Sequence, residues 1–210
     1  MSATVRRFTF TTHVTTSVGW FGAVLVFMAL AWLGLASDDE RLVRGAYLLM
    51  APAAWFVLVP LAHASLLSGL VLSLGTAWGL FRHYWVALKL VMTAVATGVL
   101  LVYMGTFRQM AGVAADPVAE LGLVRNPSPL LHAVLALLLL LAATVLAIYK
   151  PFGPTPYGAR TLARQRHGDL AGDALSVPWT SAWLYGIGAA AGIGLLLLLL
   201  HHLSGSQFHH

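Results

Sequence analysis

The sequence predicts an all-α membrane protein, a single bundle of five transmembrane helices, and three observations predict it. Of 210 residues, 59% are hydrophobic and only 9% charged, where a soluble domain carries about a quarter charged residues. The mean hydropathy of +0.82 also excludes a disordered chain, which needs low hydrophobicity and high charge. Five apolar stretches are long enough to cross a bilayer, and each must be helical because lipid offers no partner to bare backbone groups.

The first stretch, Thr12–Ala36, follows Arg6 and Arg7 and ends in a Gly-Leu-Ala that imitates a cleavage site. Its apolar run exceeds the 7–15 residues of a signal core, so it reads as a retained helix. The second, Leu42–Leu74, is too long for a perpendicular span and must tilt, bend or project, with Pro52 and Pro60 as the bend points. The third and fourth are Trp85–Tyr103 and Leu130–Tyr149, and the fifth is Ala182–Leu200. Between the third and fourth, Gly105–Pro129 reads as an irregular cap. After the fourth, Lys150–Pro156 is a turn-rich exit, and Arg160–His167 reads as a short basic helix on the lipid surface. Residues 1–203 form one domain, and Ser204–His210 resembles a linker with the start of a purification tag.

Lysine and arginine placement orients the bundle. With the N-terminus inside, the cytoplasmic side holds Arg6, Arg7, Arg82, Lys150, Arg160, Arg164 and Arg166. The outer side holds Arg41, Arg44, Arg108 and Arg125, diluted by five acidic residues. The expected topology is N-terminus in, C-terminus out, in a bacterial inner membrane. The basic excess then faces anionic lipid. No contiguous basic stripe exists to bind nucleic acid. The absence of cysteine excludes disulfides, thiolate metal sites and thiol catalysis.

Titratable groups inside lipid are costly, and each is a functional candidate. At about 1.5 Å of rise per residue, His13, His63 and Lys89 fall within roughly 10–15 Å of one another in depth, in the cytoplasmic half. Polar stripes accompany them. His13, Thr16, Ser17 and Trp20 share a face of the first helix, and Lys89, Thr93 and Thr97 a face of the third. Ser68 and Gly69 follow His63, and small residues there leave room for a flat ligand.

Imidazole ligates iron, copper and zinc, and two histidines facing across a bundle hold a b-type haem. The expected site is therefore His63 as an axial ligand, His13 as the second ligand and Lys89 as the partner of a propionate. Each also has a structural reading. His63 can bond a neighbouring helix, His13 can sit among headgroups, and Lys89 can snorkel to the surface.

A lower-ranked constellation places His132 among Met28, Met50, Met104 and Met110 in the outer half, a donor set suited to Cu(I). Gly186, Gly188, Ala190, Gly192 and Gly194 of the fifth stretch suit close packing or a homodimer.

Three motifs taken together resemble a bacterial membrane superfamily. They are His13-x6-Trp20-x-Gly22, Ser68-Gly69-Leu70 and Trp85-x3-Lys89. The superfamily contains the copper-resistance D-type proteins, the HemJ-type protoporphyrinogen oxidases and related uncharacterised families. The resemblance covers His13 to Tyr103. It implies haem b, with the first-helix histidine and third-helix lysine important for activity, roles that map onto His13 and Lys89. After Trp20 the sequence departs from the oxidase pattern, reading Val24-Leu25-Val26-Phe27-Met28, and no histidine follows Lys89 on that helix.

Three functions follow. The first is a haem protein for electron transfer or for oxidation of a hydrophobic, quinone-like or porphyrinogen-like substrate, with a quinone or redox protein as partner. The second is a copper-handling protein, and the third a non-catalytic membrane scaffold.

Overall fold

Buried residues recur at intervals of three and four along each long apolar segment, which is the spacing of one helical face. On the first helix they are Trp20, Val24, Phe27 and Ala31. The opposite faces are apolar too. Phe8, Val18, Val26, Trp32, Trp55 and Phe56 are all exposed. Helices that are hydrophobic all round are built for lipid.

The structure, a computed structural model, describes residues 1–75, 79–151 and 153–166. The described residues are all-helical, and among them four helices are long and apolar enough to cross a membrane. These are α1 (Ala3–Ala36), α2 (Glu40–Gly75), α3 (Tyr84–Ala115) and α4 (Ser128–Tyr149), followed by the short α5 (Pro156–Arg166). The expected fifth span, its small-residue stripe and the tag-like tail lie outside the described residues.

Each of the four long helices packs on its chain neighbours, and α4 closes the ring against α1. The result is an up-down-up-down bundle with short connections. Helices α1 and α3 stand diagonally opposite, so their side chains meet in the middle. The rings of Phe27 and Phe107 do so with centroids 4.8 Å apart.

Two boundaries differ clearly from the sequence reading. Helix α1 begins at Ala3 rather than Thr12, with Ser2 as its N-cap accepting from the Val5 N–H. Hydropathy discounts Arg6 and Arg7, but the 34-residue helix is about 51 Å long and outreaches a hydrocarbon core of about 30 Å. That excess length leaves room for its first turns beyond the acyl chains, where arginine avoids the cost of burial in hydrocarbon.

Helix α3 runs on to Ala115, where an irregular cap was expected. Arg108 and Gln109 end the apolar run, yet Tyr103, Phe107, Met110 and Ala114 continue the buried stripe. The irregular segment shrinks to the residues between Ala115 and Ser128, with one turn of 3₁₀-helix at Leu121–Leu123.

Helix α2 accommodates its two prolines with a widened turn. Pro52 and Pro60 each remove a backbone donor and crowd the carbonyl four residues back. Between them, Ala54–Leu58 winds as π-helix, a common answer to a disturbed ladder.

The short basic helix exists, as α5. Its preceding Thr155 donates its N–H to the Arg82 carbonyl at 2.8 Å and its hydroxyl to Phe81 O at 2.6 Å. This ties the α4–α5 connection to the start of α3. Gly158 is pressed so closely on Arg82 that a Cβ would lie 2.1 Å from its carbonyl oxygen.

At the other end of the bundle a single arginine gathers the α3–α4 connection. Arg44 on α2 donates to Glu40 and to the carbonyls of Ala114, Asp116, Pro117 and Ala119. The Ala114 carbonyl is one of the orphan acceptors that a helix C-terminus leaves behind, and the others belong to the turn that follows it. Arg44→Gln should therefore lower thermal stability in detergent by roughly 1–3 kcal/mol. Arg41→Gln, an exposed neighbour, should leave the melting temperature within about 0.5 kcal/mol of wild type. Equal melting of the two variants would remove the clamp.

Candidate functional site

The stripe Arg6, Phe10, His13, Ser17 runs down α1 at spacings of four, three and four, so these residues share one face. That face looks onto the end of α2 and the start of α3. There the helices part around a cavity of about 470 Å³ at the end of the bundle rich in lysine and arginine. Phe10, Leu66, Leu72, Trp85, Val86 and Leu90 supply apolar wall. Its polar lining comes from Arg6, Arg7, His13, Ser65, Lys89 and Lys150. Thr93 closes the deeper side, its hydroxyl returned to Lys89 O at 3.0 Å.

His13 is the best-held side chain in the cavity. Its Nδ1 lies 3.0 Å from the Ser65 carbonyl and 3.2 Å from Ser68 Oγ. A carbonyl only accepts, so Nδ1 carries the proton and Nε2 is left with a lone pair. The Ser68 hydroxyl itself donates to Ala64 O at 2.5 Å. Beside this, Ser17 Oγ and Ser65 Oγ are 2.7 Å apart. Helices α1 and α2 are thus laced together by polar groups at the depth of the cavity.

Gly69 makes the room. A Cβ there would stand 2.9 Å from His13 Cε1 and 3.3 Å from Nδ1, inside van der Waals contact. Lys89, on the diagonal helix α3, brings Nζ to 3.4 Å from His13 Nε2 and donates to its lone pair.

His13 and Lys89 are therefore brought together, and His63 is not part of their site. Its Nδ1 donates to Val59 O of its own helix at 2.8 Å. Two residues along a helix turn the side chain by about 200°, so His63 points away from the face on which Ser65 meets His13. Thr16 returns its hydroxyl to Thr12 O at 2.8 Å, within its own helix. Arg6, Arg7 and Phe10 were not singled out as site residues by sequence. The signal for Arg6 and Phe10 was present in their spacing to His13, hidden by starting the helix at Thr12, and Arg7 follows as the neighbour of Arg6.

Trp20 is buried but faces a second, much smaller space of about 60 Å³ deeper in the bundle. It shares that space with Phe27, Tyr103, Phe107 and His132. His132 Nδ1 donates to Ser128 O at 2.8 Å, and its ring lies 4.3 Å from that of Tyr103. The Tyr103 hydroxyl donates to Ser128 Oγ at 2.6 Å. Met50, Met104 and Met110 are buried members of the hydrophobic core. Among the described residues, no three His, Cys, Asp or Glu side chains converge as a metal-binding group.

No family model, curated protein or solved structure matches the chain.

Gly69→Ala should cost roughly 1–3 kcal/mol of stability, the usual penalty of overpacking, because the new methyl meets a hydrogen-bonded imidazole. Gly22→Ala, where a Cβ meets nothing within 4 Å, should be neutral or slightly stabilising. Thermal unfolding of both variants in one detergent decides it, and equal stability would mean the imidazole yields freely.

Proposed function

We propose that the chain is an inner-membrane b-type haem protein of the copper-resistance D-type and HemJ-type superfamily, with His13 as the axial ligand. Its task is electron transfer or oxidation of a hydrophobic, quinone-like or porphyrinogen-like substrate. The observation that carries the reading is the fixed His13 imidazole, with Nδ1–H on the Ser65 carbonyl and the Nε2 lone pair turned toward Lys89 and the cavity. A histidine that donates its far nitrogen to a carbonyl is the usual form of a metal-ligating histidine, oriented and made more basic by that second bond.

The residues fit such a group. The cavity volume lies within the range of cofactor pockets, roughly 300–1,000 Å³, and its walls are mainly apolar with a few convergent polar groups. Bound haem would supply one-electron redox chemistry tuned by its axial ligand and surroundings. The chain's own residues do the rest. Ser65 and Ser68 hold the imidazole, Gly69 admits it, and Lys89 caps its lone pair with a donor that must swing aside when Nε2 takes another partner.

Part of each motif that resembles the superfamily meets at this site, while Trp20 of the first lies at the deeper space. His13, Ser68-Gly69 and Lys89 are far apart in sequence yet touch one site. The N-in orientation puts the cavity mouth on the cytoplasmic face, supported by the arginines of α1 and by Lys150.

Detergent-purified protein incubated with haemin should show a Soret band that shifts on dithionite reduction. His13→Ala should lose the band, while His63→Ala and His132→Ala keep it. A colourless, iron-free preparation after incubation, or a band unchanged in His13→Ala, overturns the reading.

A further inference from the structure

The cavity holds its charges in an unusual balance. Arg6, Arg7, Lys89 and Lys150 all line it, and among the described residues no Asp or Glu does. The described acidic residues, Asp38, Asp39, Glu40, Asp116 and Glu120, are all at the opposite end of the bundle. Among the described residues, Glu40 with Arg44 is the one ion pair, so neither Arg6 nor Arg7 has a carboxylate partner there. A topology rule explains why arginines sit at that end of α1. It does not explain why two of them line an apolar cavity with an exposed phenylalanine, Phe10, one turn further in.

We infer that the cavity takes an apolar ligand bearing carboxylates, and that Arg6 and Arg7 at its mouth are the carboxylate anchors. Lys89, the residue to which the sequence assigns that role, instead attends the imidazole. The seven residues from Arg6 to His13 correspond to roughly 10 Å of helix rise. The ligand's apolar body therefore reaches inward about that far from its acidic groups. Guanidinium suits this task, since it pairs with carboxylate through two parallel hydrogen bonds and stays charged at a membrane surface. The exposed mouth and buried floor favour a molecule with one wet, anionic end, as a tetrapyrrole dicarboxylate has. This inference rests on the cavity being the ligand site, but it does not require iron.

The test uses the full chain in phosphatidylcholine nanodiscs, titrated with metal-free protoporphyrin IX and separately with its dimethyl ester, read by porphyrin fluorescence. The diacid should bind at least about tenfold more tightly than the ester, the scale expected of charged hydrogen bonds. The double variant Arg6→Gln/Arg7→Gln should weaken the diacid by about tenfold or more and leave the ester unchanged, because both positions are exposed and the fold does not need them. Circular dichroism confirms that the variant is folded. His13→Ala should keep the discrimination between acid and ester, since the anchors are intact.

Equal affinity for acid and ester overturns the inference, as does discrimination that survives in the double variant. Abolition of the discrimination by adding phosphatidylglycerol to the nanodiscs also overturns it, by giving the mouth to a lipid phosphate. A missing Soret band alongside intact acid discrimination sinks the haem reading and leaves this one standing. The reverse result does the opposite.

Discussion

One hydrogen bond organises the polar end of this bundle, from His13 Nδ1 to the Ser65 carbonyl. It joins two helices in a setting where most contacts are apolar and lipid competes with none of the polar groups. Hydrogen bonds between membrane helices are modest one by one, about 0.6 kcal/mol on average. Here the bond sets two other properties at once. It fixes which nitrogen carries the proton, and it fixes the ring plane against Gly69. Everything the cavity can do chemically follows from a lone pair held in a known direction.

The ring order of the helices gives the bundle its division of labour. Because α1 and α3 are diagonal, whatever they carry at a given height meets in the interior. At one end they carry His13 and Lys89, and the helices open around a cavity lined by basic side chains. Further along they carry Phe27, Tyr103 and Phe107, which fill the interior with tilted and edge-on rings and leave a small space beside His132. Polar chemistry and packing are thereby kept at different levels, and the aromatic layer seals the floor beneath the site.

Much of this was legible from sequence, and the failures have a common physical origin. Five spans were read from apolar length, because the bilayer imposes that length on any crossing helix, and the four within the described residues are present. The nearness of His13 and Lys89 was read from depth, since rise per residue is nearly constant. Depth is only one of two coordinates, however. His63 stands at the right height and turns its ring away, because azimuth depends on helix–helix packing that no single segment encodes. Arg6 and Arg7 were missed for another reason. A hydropathy window stops where charge begins, while backbone hydrogen bonding runs on through the headgroup layer. Arg108 and Gln109 misled in the same way at the far end of α3, whose buried stripe passes straight by them.

The widened turn at Ala54–Leu58 has an effect well downstream of the prolines that flank it. An extra residue taken up in a helical turn rotates all that follows by about 100°. As wound, α2 directs Ala62, Ser65 and Ser68 inward, all of them buried. In an uninterrupted α-helix the same inward positions would fall to Leu61, Ala64 and Leu67, and the imidazole would confront hydrocarbon. The π-turn thus acts as a phase-shifter. A distortion three turns away selects which side chains greet the histidine, and any change that straightened it would rewrite the site without touching a residue in it.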